Sequence, residues 1–213
     1  MLRLQTFTFN PFQENTYLII NENKQCWIVD PGMYDTSETN HFFSYIEGEG
    51  LVPQAVINTH THIDHIFGVD ACKIKYNIPF LMHEKDLPVL KNAKGSAMLF
   101  GLNFPGAPEA DAFIKEGTMQ LDDETIDIRL APGHSPGSIV FYHAPGKWLL
   151  GGDVLFNGSI GRTDLPGGNF DTLINSIRTQ VFVLPDDTIV YSGHGPATSI
   201  GNEKKFNPFL QDI

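Results

Sequence analysis

Residues 57 to 68 read INTHTHIDHIFG and place three histidines and an aspartate between positions 60 and 65, in a chain with only 8 histidines among 213 residues. The apolar run Ala55-Val56-Ile57 leads straight into this cluster, as a strand leads into a site. Neutral imidazole and carboxylate are the usual ligands of Zn²⁺, Mn²⁺ and Fe²⁺. Alternate residues of an extended segment share a direction, so His60 and His62 can grip one ion. Asp64 and His65 start the next helix and can face a second.

The same design recurs further along. Ile126, Ile128 and Leu130 alternate as a strand, and LAPGH closes it at His134. KWLLGGD ends a strand at Asp153, TIVYSGH ends one at His194, and AVINTH ends one at His60. Before His134, Asp153 and His194 stands a glycine, able to take the positive φ of a sharp turn out of a strand. Open α/β sheets bind ligands at the carboxyl ends of their strands, so all four termini can face one site. Two ions roughly 3.5–4 Å apart need a shared carboxylate, for which Asp153 is the candidate. His41, His83 and His143 have no such company and read as structural.

Around these strand ends the chain reads as one α/β domain over residues 1–213. Leu2 to Phe9, a turn at Asn10-Pro11 and Tyr17 to Ile20 predict a hairpin. Cys26 to Val29 predicts a buried strand ended by Asp30-Pro31-Gly32. Residues 37 to 47 predict a helix, and Phe170 to Val181 a second with Asn169 as its N-cap. The Gly-, Pro- and Asn-rich stretch from Lys91 to Ala112 reads as a long surface loop. Cys26 and Cys72 read as small core residues. A net charge of -11 argues against a duplex-binding surface. It also means that an anionic substrate needs a local basic group. No stretch approaches the roughly 18 apolar residues of a membrane span, so a soluble cytoplasmic protein is expected.

The run THTHIDH resembles the T-H-x-H-x-D-H signature of the metallo-β-lactamase superfamily, and His134, Asp153 and His194 follow in that superfamily's order. The resemblance implies a four-layer αββα sandwich with a metal site at the rim between two sheets. It implies that His60, His62 and His134 hold one ion, that Asp64, His65 and His194 hold the second, and that Asp153 bridges. Many true β-lactamases of the superfamily have cysteine where Asp153 stands, and flavodiiron proteins an acid where His62 stands.

GSIGRTDLPGG (158 to 168) and SGHGPATSIGNEKKFNPFL (192 to 210) look like the short, single-domain glyoxalase II type, the hydroxyacylglutathione hydrolases. That resemblance implies a small-molecule thioester substrate, two divalent ions (zinc first, iron or manganese next) and a bridging hydroxide as nucleophile, oriented by Asp64. A leaving thiolate of pKa about 8.5 needs little acid assistance. Arg162 matches a basic position of the family and is implied to pair with a carboxylate of the thiol carrier. The chain departs from full-length glyoxalase II in lacking its C-terminal helical domain, and Asp164 stands where the family has tyrosine. The persulfide dioxygenases, a one-iron, O₂-consuming branch, also resemble the chain at GRTD (161 to 164) and at the Asp64-His65-Ile66-x-Gly68 stretch. A purely structural metal module fits poorly, because structural zinc sites are closed by four ligands and seven groups are on offer here.

Overall fold

Period-two alternation along Tyr17-Leu18-Ile19-Ile20 sends side chains into two different cores. Leu18 and Ile20 pack with Phe42, Ile46, Val69 and Leu90, whereas Tyr17 and Ile19 pack with Ile126, Ile128 and Phe141. A strand buried on both faces belongs to the interior of a layered domain, and the computed structural model, which describes residues 1–211, has that form. One sheet runs β1 (Arg3–Phe9), β2 (Glu14–Ile20), β3 (Gln25–Val29), β4 (Val52–Ile57), β5 (Phe80–His83), β6 (Ala112–Ile114) in spatial as in chain order. The other, from β7 (Gly117–Leu121), continues through β8 (Glu124–Leu130), β9 (Ile139–His143) and β10 (Trp148–Gly152). A two-stranded hairpin, β11 (Leu155–Phe156) with β12 (Ser159–Ile160), stands apart, and β13 (Ile189–Ser192) and β14 (Thr198–Ser199) complete the second sheet. β3 to β6 pair in parallel, as do β10 and β13; the remaining pairs are antiparallel.

Helices α1 (Thr36–Glu49), α2 (Val69–Tyr76) and α3 (Leu87–Leu99) cover the first sheet, and α4 (Phe170–Ser176) and α5 (Ile200–Phe206) the second. This is the expected αββα sandwich. The layer between the sheets holds Trp27, Val29 and Ile57 against Ile139, Phe141 and Leu150. Each such fully buried side chain contributes roughly 1.5–3 kcal/mol of transfer free energy. Cys26 and Cys72 are free and buried in the core beneath α1 and α2, as expected.

Local signals explain the helix ends. The Asp35 side chain accepts from the Glu38 N–H at 2.9 Å to open α1, and Gly50, at φ 65, closes it. Asn169 caps α4 by accepting from the Thr172 N–H at 2.8 Å; Ile177–Val181 then continues as a π-helical turn, so the predicted helix is present with a widened end.

The expected loop from Lys91 to Ala112 is half wrong. Helix α3 runs through Leu99, and only the segment from Phe100 to Asp111 lacks regular structure. Leu90, Ala93 and Ala97 form its buried stripe, and Pro88 sits in its first turn, where a missing N–H costs nothing. Small alanines made the stripe faint beside Asn92 and Gly95. The good helix formers around them outweigh the roughly 1 kcal/mol that one interior glycine costs.

Candidate metal centre

Four strands of two sheets end at one place on the rim. β4 delivers His60 and His62, and the loops after β8, β10 and β13 deliver His134, Asp153 and His194. A 3₁₀ turn over Ile63–His65, rather than the start of α2, carries Asp64 and His65. The turn glycines divide by physical cause. Gly133 (φ 131) and Gly152 (φ 48) have the expected positive φ. Gly193 does not; it is glycine because a Cβ there would lie 2.1 Å from Asp153 Oδ1 and 2.8 Å from His65 Cε1.

The ligand atoms form the two anticipated groups, His60 with His62 and His134, and Asp64 with His65 and His194, each with its atoms within 4.8 Å of one another. In the first, His134 Nε2 lies 2.8 Å from His62 Nδ1 and 3.2 Å from His60 Nε2. In the second, Asp64 Oδ2 lies 3.2 Å from His194 Nε2 and 3.8 Å from His65 Nε2. Asp153 faces both: Oδ2 is 3.5 Å from His134 Nε2 and 3.6 Å from His194 Nε2, and Oδ1 is 3.5 Å from His65 Nε2.

Outer partners fix the rings. His134 Nδ1 donates to the Arg162 carbonyl at 2.8 Å, and His194 Nδ1 to the Phe12 carbonyl at 3.0 Å. A carbonyl can only accept, so both rings carry the proton on Nδ1 and turn an Nε2 lone pair inward. His65 Nδ1 points to Asp30 Oδ2 at 3.1 Å.

Asp30 also accepts from the Thr59 N–H at 2.7 Å and the Thr59 hydroxyl at 2.6 Å. Its oxygens are thereby satisfied, which explains why a third grouping, Asp30 with His60 and His65, serves as support. A second buried acid, Asp86, holds the other side. Its Oδ2 accepts from the Thr61 N–H at 2.6 Å and its Oδ1 from the Gly137 N–H at 2.8 Å, tying the loops of His62 and His134 together. The chain ends of the sheets are stitched as well. The Asn15 N–H donates to the Gly193 carbonyl at 2.7 Å, and its side-chain amide donates to the carbonyls of Ser192 and Gly195.

Sequence reasoning missed Asp30, Asp86 and the buried Glu14, whose Oε1 lies 3.8 Å from His65 Nδ1. Asp30 had a signal: β3 also ends in an acid, the pattern that revealed the ligands, although its Asp-Pro-Gly context reads first as a turn. Asp86 and Glu14 had none.

Electrostatically the groups differ. Burial holds His60 and His62 below the ordinary imidazole range, His62 at about 4, with neighbouring histidines adding to the effect. Burial works the same way on His65 and His194, yet the carboxylates around them win and raise both. Burial opposes ionisation of Asp64, but His65 and His194 overcome it and hold its carboxyl below the usual range.

The donor set suits divalent cations. His65 Nε2 and Asp153 Oδ1 are buried without a hydrogen-bond partner, an expensive state that an ion between them relieves. His60, His62 and His134 can hold one ion, Asp64, His65 and His194 another, and Asp153 both.

Above the ligands opens a cleft of about 640 Å³, walled by α3 on one side and by the segment around Phe156 to Gly167 on the other. Arg162 stands on its rim. Its Nε and Nη2 donate to Asp164 Oδ1 and Oδ2 at 2.8 and 2.7 Å, so the fork that the sequence reading offers to a substrate carboxylate already holds one from the chain itself. His83 and His143 are buried outside this cleft, His143 paired with Glu124 at 3.1 Å, which fits their structural reading, and His41 is exposed on α1.

A family model described as the metallo-beta-lactamase superfamily matches residues 9–194. Similar proteins include "Probable metallo-hydrolase YqgX" of Bacillus subtilis, 40% identical over 94% of this chain and 93% of that one. "Hydroxyacylglutathione hydrolase GloC" of Haemophilus influenzae is 37% identical over 98% of each chain. The crystal structure of BLEG-1 B3 metallo-beta-lactamase superposes with a TM-score of 0.91 at 38% identity, covering 98% of this chain and 100% of that one. Ligand order, sandwich topology and these likenesses agree: the chain belongs to the metallo-beta-lactamase superfamily and is a metallo-hydrolase of that fold.

Proposed function

We propose that this metallo-hydrolase cleaves a small-molecule thioester of the hydroxyacylglutathione type, with two divalent ions, zinc before iron or manganese, and with one domain carrying the whole centre. The observation that carries the reading is Asp153 standing between two complete ligand groups at the floor of a cleft. The likeness to a hydroxyacylglutathione hydrolase supports the thioester. When bound, the ions lower the pKa of water to about 7 and polarise a carbonyl.

The chain's own residues supply the rest. Asp64, kept ionised by His65 and His194, accepts a hydrogen bond from the attacking water and aims its lone pair at the carbonyl carbon. His134 and His194 are held by backbone carbonyls, so the nucleophile's surroundings are rigid before substrate arrives. The thiol leaves as thiolate, whose pKa of about 8.5 makes proton donation unnecessary. Apolar walls limit water at the reacting bond. No helix among the described residues is long and apolar enough to cross a membrane, and two free buried cysteines support a cytoplasmic site of action.

Purified protein should hydrolyse S-lactoylglutathione or a related thioester without oxygen, and His194→Ala should impair this severely, because the second ligand group is lost. A one-iron oxygenase should tolerate that change comparatively well. Oxygen uptake with glutathione persulfide faster than any thioester cleavage overturns the hydrolase reading. Turnover of a β-lactam, the substrate class named for BLEG-1, in place of thioesters overturns it too.

A further inference from the structure

The cleft above the ligands has two kinds of lining. Its polar positions outside the ligands are Asn92 and Ser96 on α3, with Ser159 and Arg162 on the other wall. The rest is apolar, and its aromatic rings gather beside one histidine. Phe156 stands edge-on to His194 at 6.2 Å between ring centres. Phe12 gives the same histidine its backbone carbonyl, and its own ring meets that of Phe100 edge-on at 5.4 Å. Ile63, in the turn between His62 and Asp64, and Ile160 also line the cleft and are buried. An apolar pocket therefore adjoins the second ligand group.

That pocket is open to water at its mouth. Phe100 is 46% exposed, and Leu99, which also lines the cleft, is 85% exposed. Large apolar side chains placed together in this way gain free energy when an apolar group covers them. The carrier side of a hydroxyacylglutathione is unsuited to that. It is a chain of amides ending in carboxylates and an ammonium, and these groups lose their partners when buried against rings. Asn92, Ser96 and Ser159 suit its amides. The side that fits the rings is the acyl side, and the methyl group of a lactoyl thioester would fill little of a cleft of about 640 Å³.

We infer that Phe12, Phe100 and Phe156 form an acyl pocket, which selects hydroxyacyl thioesters carrying a bulky apolar substituent, an aryl group foremost, over those carrying a methyl. This rests on the hydrolase reading for the bond that is cleaved and deepens it by naming the acyl side of the substrate. An aryl ring can meet Phe100 and Phe156 edge-on or offset, arrangements that add to the gain from buried area alone.

Two inert thioethers of glutathione test this by calorimetry on the zinc-loaded protein. S-(2-phenylethyl)glutathione places a phenyl ring where an aryl-substituted substrate holds its substituent, and S-propylglutathione places a methyl where a lactoyl substrate does. The carrier is the same in both, so its contribution cancels in the ratio of affinities. The wild type should bind the phenylethyl compound at least about tenfold more tightly. Phe100→Ala and Phe156→Ala should each cut that ratio by about threefold or more. Met98→Ala changes a residue that is 76% exposed and outside the cleft lining, and should leave the ratio as it is. A wild-type ratio below about twofold overturns the proposal. So does a ratio kept by both phenylalanine variants, a ratio lost equally in Met98→Ala, or binding of neither compound at millimolar concentration. Neither ligand can be hydrolysed. A protein with the expected ratios that cleaves no thioester therefore loses the hydrolase reading alone, and one that cleaves S-lactoylglutathione without these ratios loses the acyl pocket alone.

Discussion

The two ligand groups lie within one side chain of each other, yet they are built in opposite electrical styles. Around His60 and His62 the neighbours are mainly imidazoles, and burial holds both rings below the ordinary imidazole range. Around His65 and His194 stand Asp64, Asp153 and Asp30, and the rings are pulled toward the charged form. The first group is a cluster of neutral donors; the second is a salt-bridge network that a cation can enter only by replacing protons. Asp86 braces the first group from outside, whereas Asp30 holds His65 directly and reaches His60 through the Thr59 hydroxyl. The lesson is that two candidate ligand groups need not be alike to share one carboxylate, Asp153.

Removing that carboxylate gives the largest effect. Asp153→Asn should lower turnover by orders of magnitude, beyond the roughly 10–100-fold cost of losing an outer partner. Mass spectrometry under non-denaturing conditions should find fewer than two ions per chain, with the fold intact by circular dichroism. Full activity in this variant removes Asp153 from the centre.

Smaller and more selective are changes to the two supporting acids. Asp86→Asn should weaken the first ion by about 10–100-fold and spare the second, whereas Asp30→Asn should weaken the second by that factor and the first less, through Thr59. Stepwise titration with a chromogenic chelator resolves the two ions. If Asp86→Asn weakens the second ion more than the first, or Asp30→Asn the first more than the second, this division of support fails.

The smallest effect lies outside both groups. Glu203 is buried and accepts hydrogen bonds from Thr198, Asn202, Asn207 and the Gly158 N–H, pinning α5 to the segment between β11 and β12. Burial alone would raise its carboxyl, but these hydrogen bonds prevail and its pKa lies below the ordinary 4.5. A depressed carboxyl stabilises fully above the unfolded value and ceases to do so as pH falls through the folded one. Glu203→Gln should therefore cost about 1–3 kcal/mol near neutrality, and the gap in thermal unfolding should shrink below about pH 4.5. Both ion affinities should stay as they are; a changed affinity would make this clamp part of the centre.

The candidate ligands were legible in the sequence because histidine is scarce and because strands announce their ends. THTHIDH, LAPGH, LLGGD and YSGH each join an apolar run to a donor, and each proved to reach the rim. The layers were legible for the same reason, since Tyr17 to Ile20 alternates cleanly between two cores. What stayed hidden is decided by contacts distant in sequence or by single rotamers. Asp86 reaches Thr61 and Gly137 across 25 and 51 positions, and no local pattern encodes that. Helix α3 was obscured because alanine marks a buried stripe more weakly than leucine does. The Arg162–Asp164 clamp was visible only as a departure from the family pattern, whose consequence depends on where two side chains point.

The stitch between Asn15 and the loop after β13 bears on the order of folding. His194 is positioned by the Phe12 carbonyl, 182 residues away in the chain, and Asn15 grips Ser192 and Gly195 across 177 and 180. Closing loops of that span costs chain entropy before the contacts repay it, which slows folding. The first ligand group needs nothing beyond Arg162, whose carbonyl fixes His134, whereas the second is assembled only when the earliest hairpin meets the last long strand. The geometry of the second group is thus a clock for the molecule: it is complete only once the two ends of the sandwich have closed.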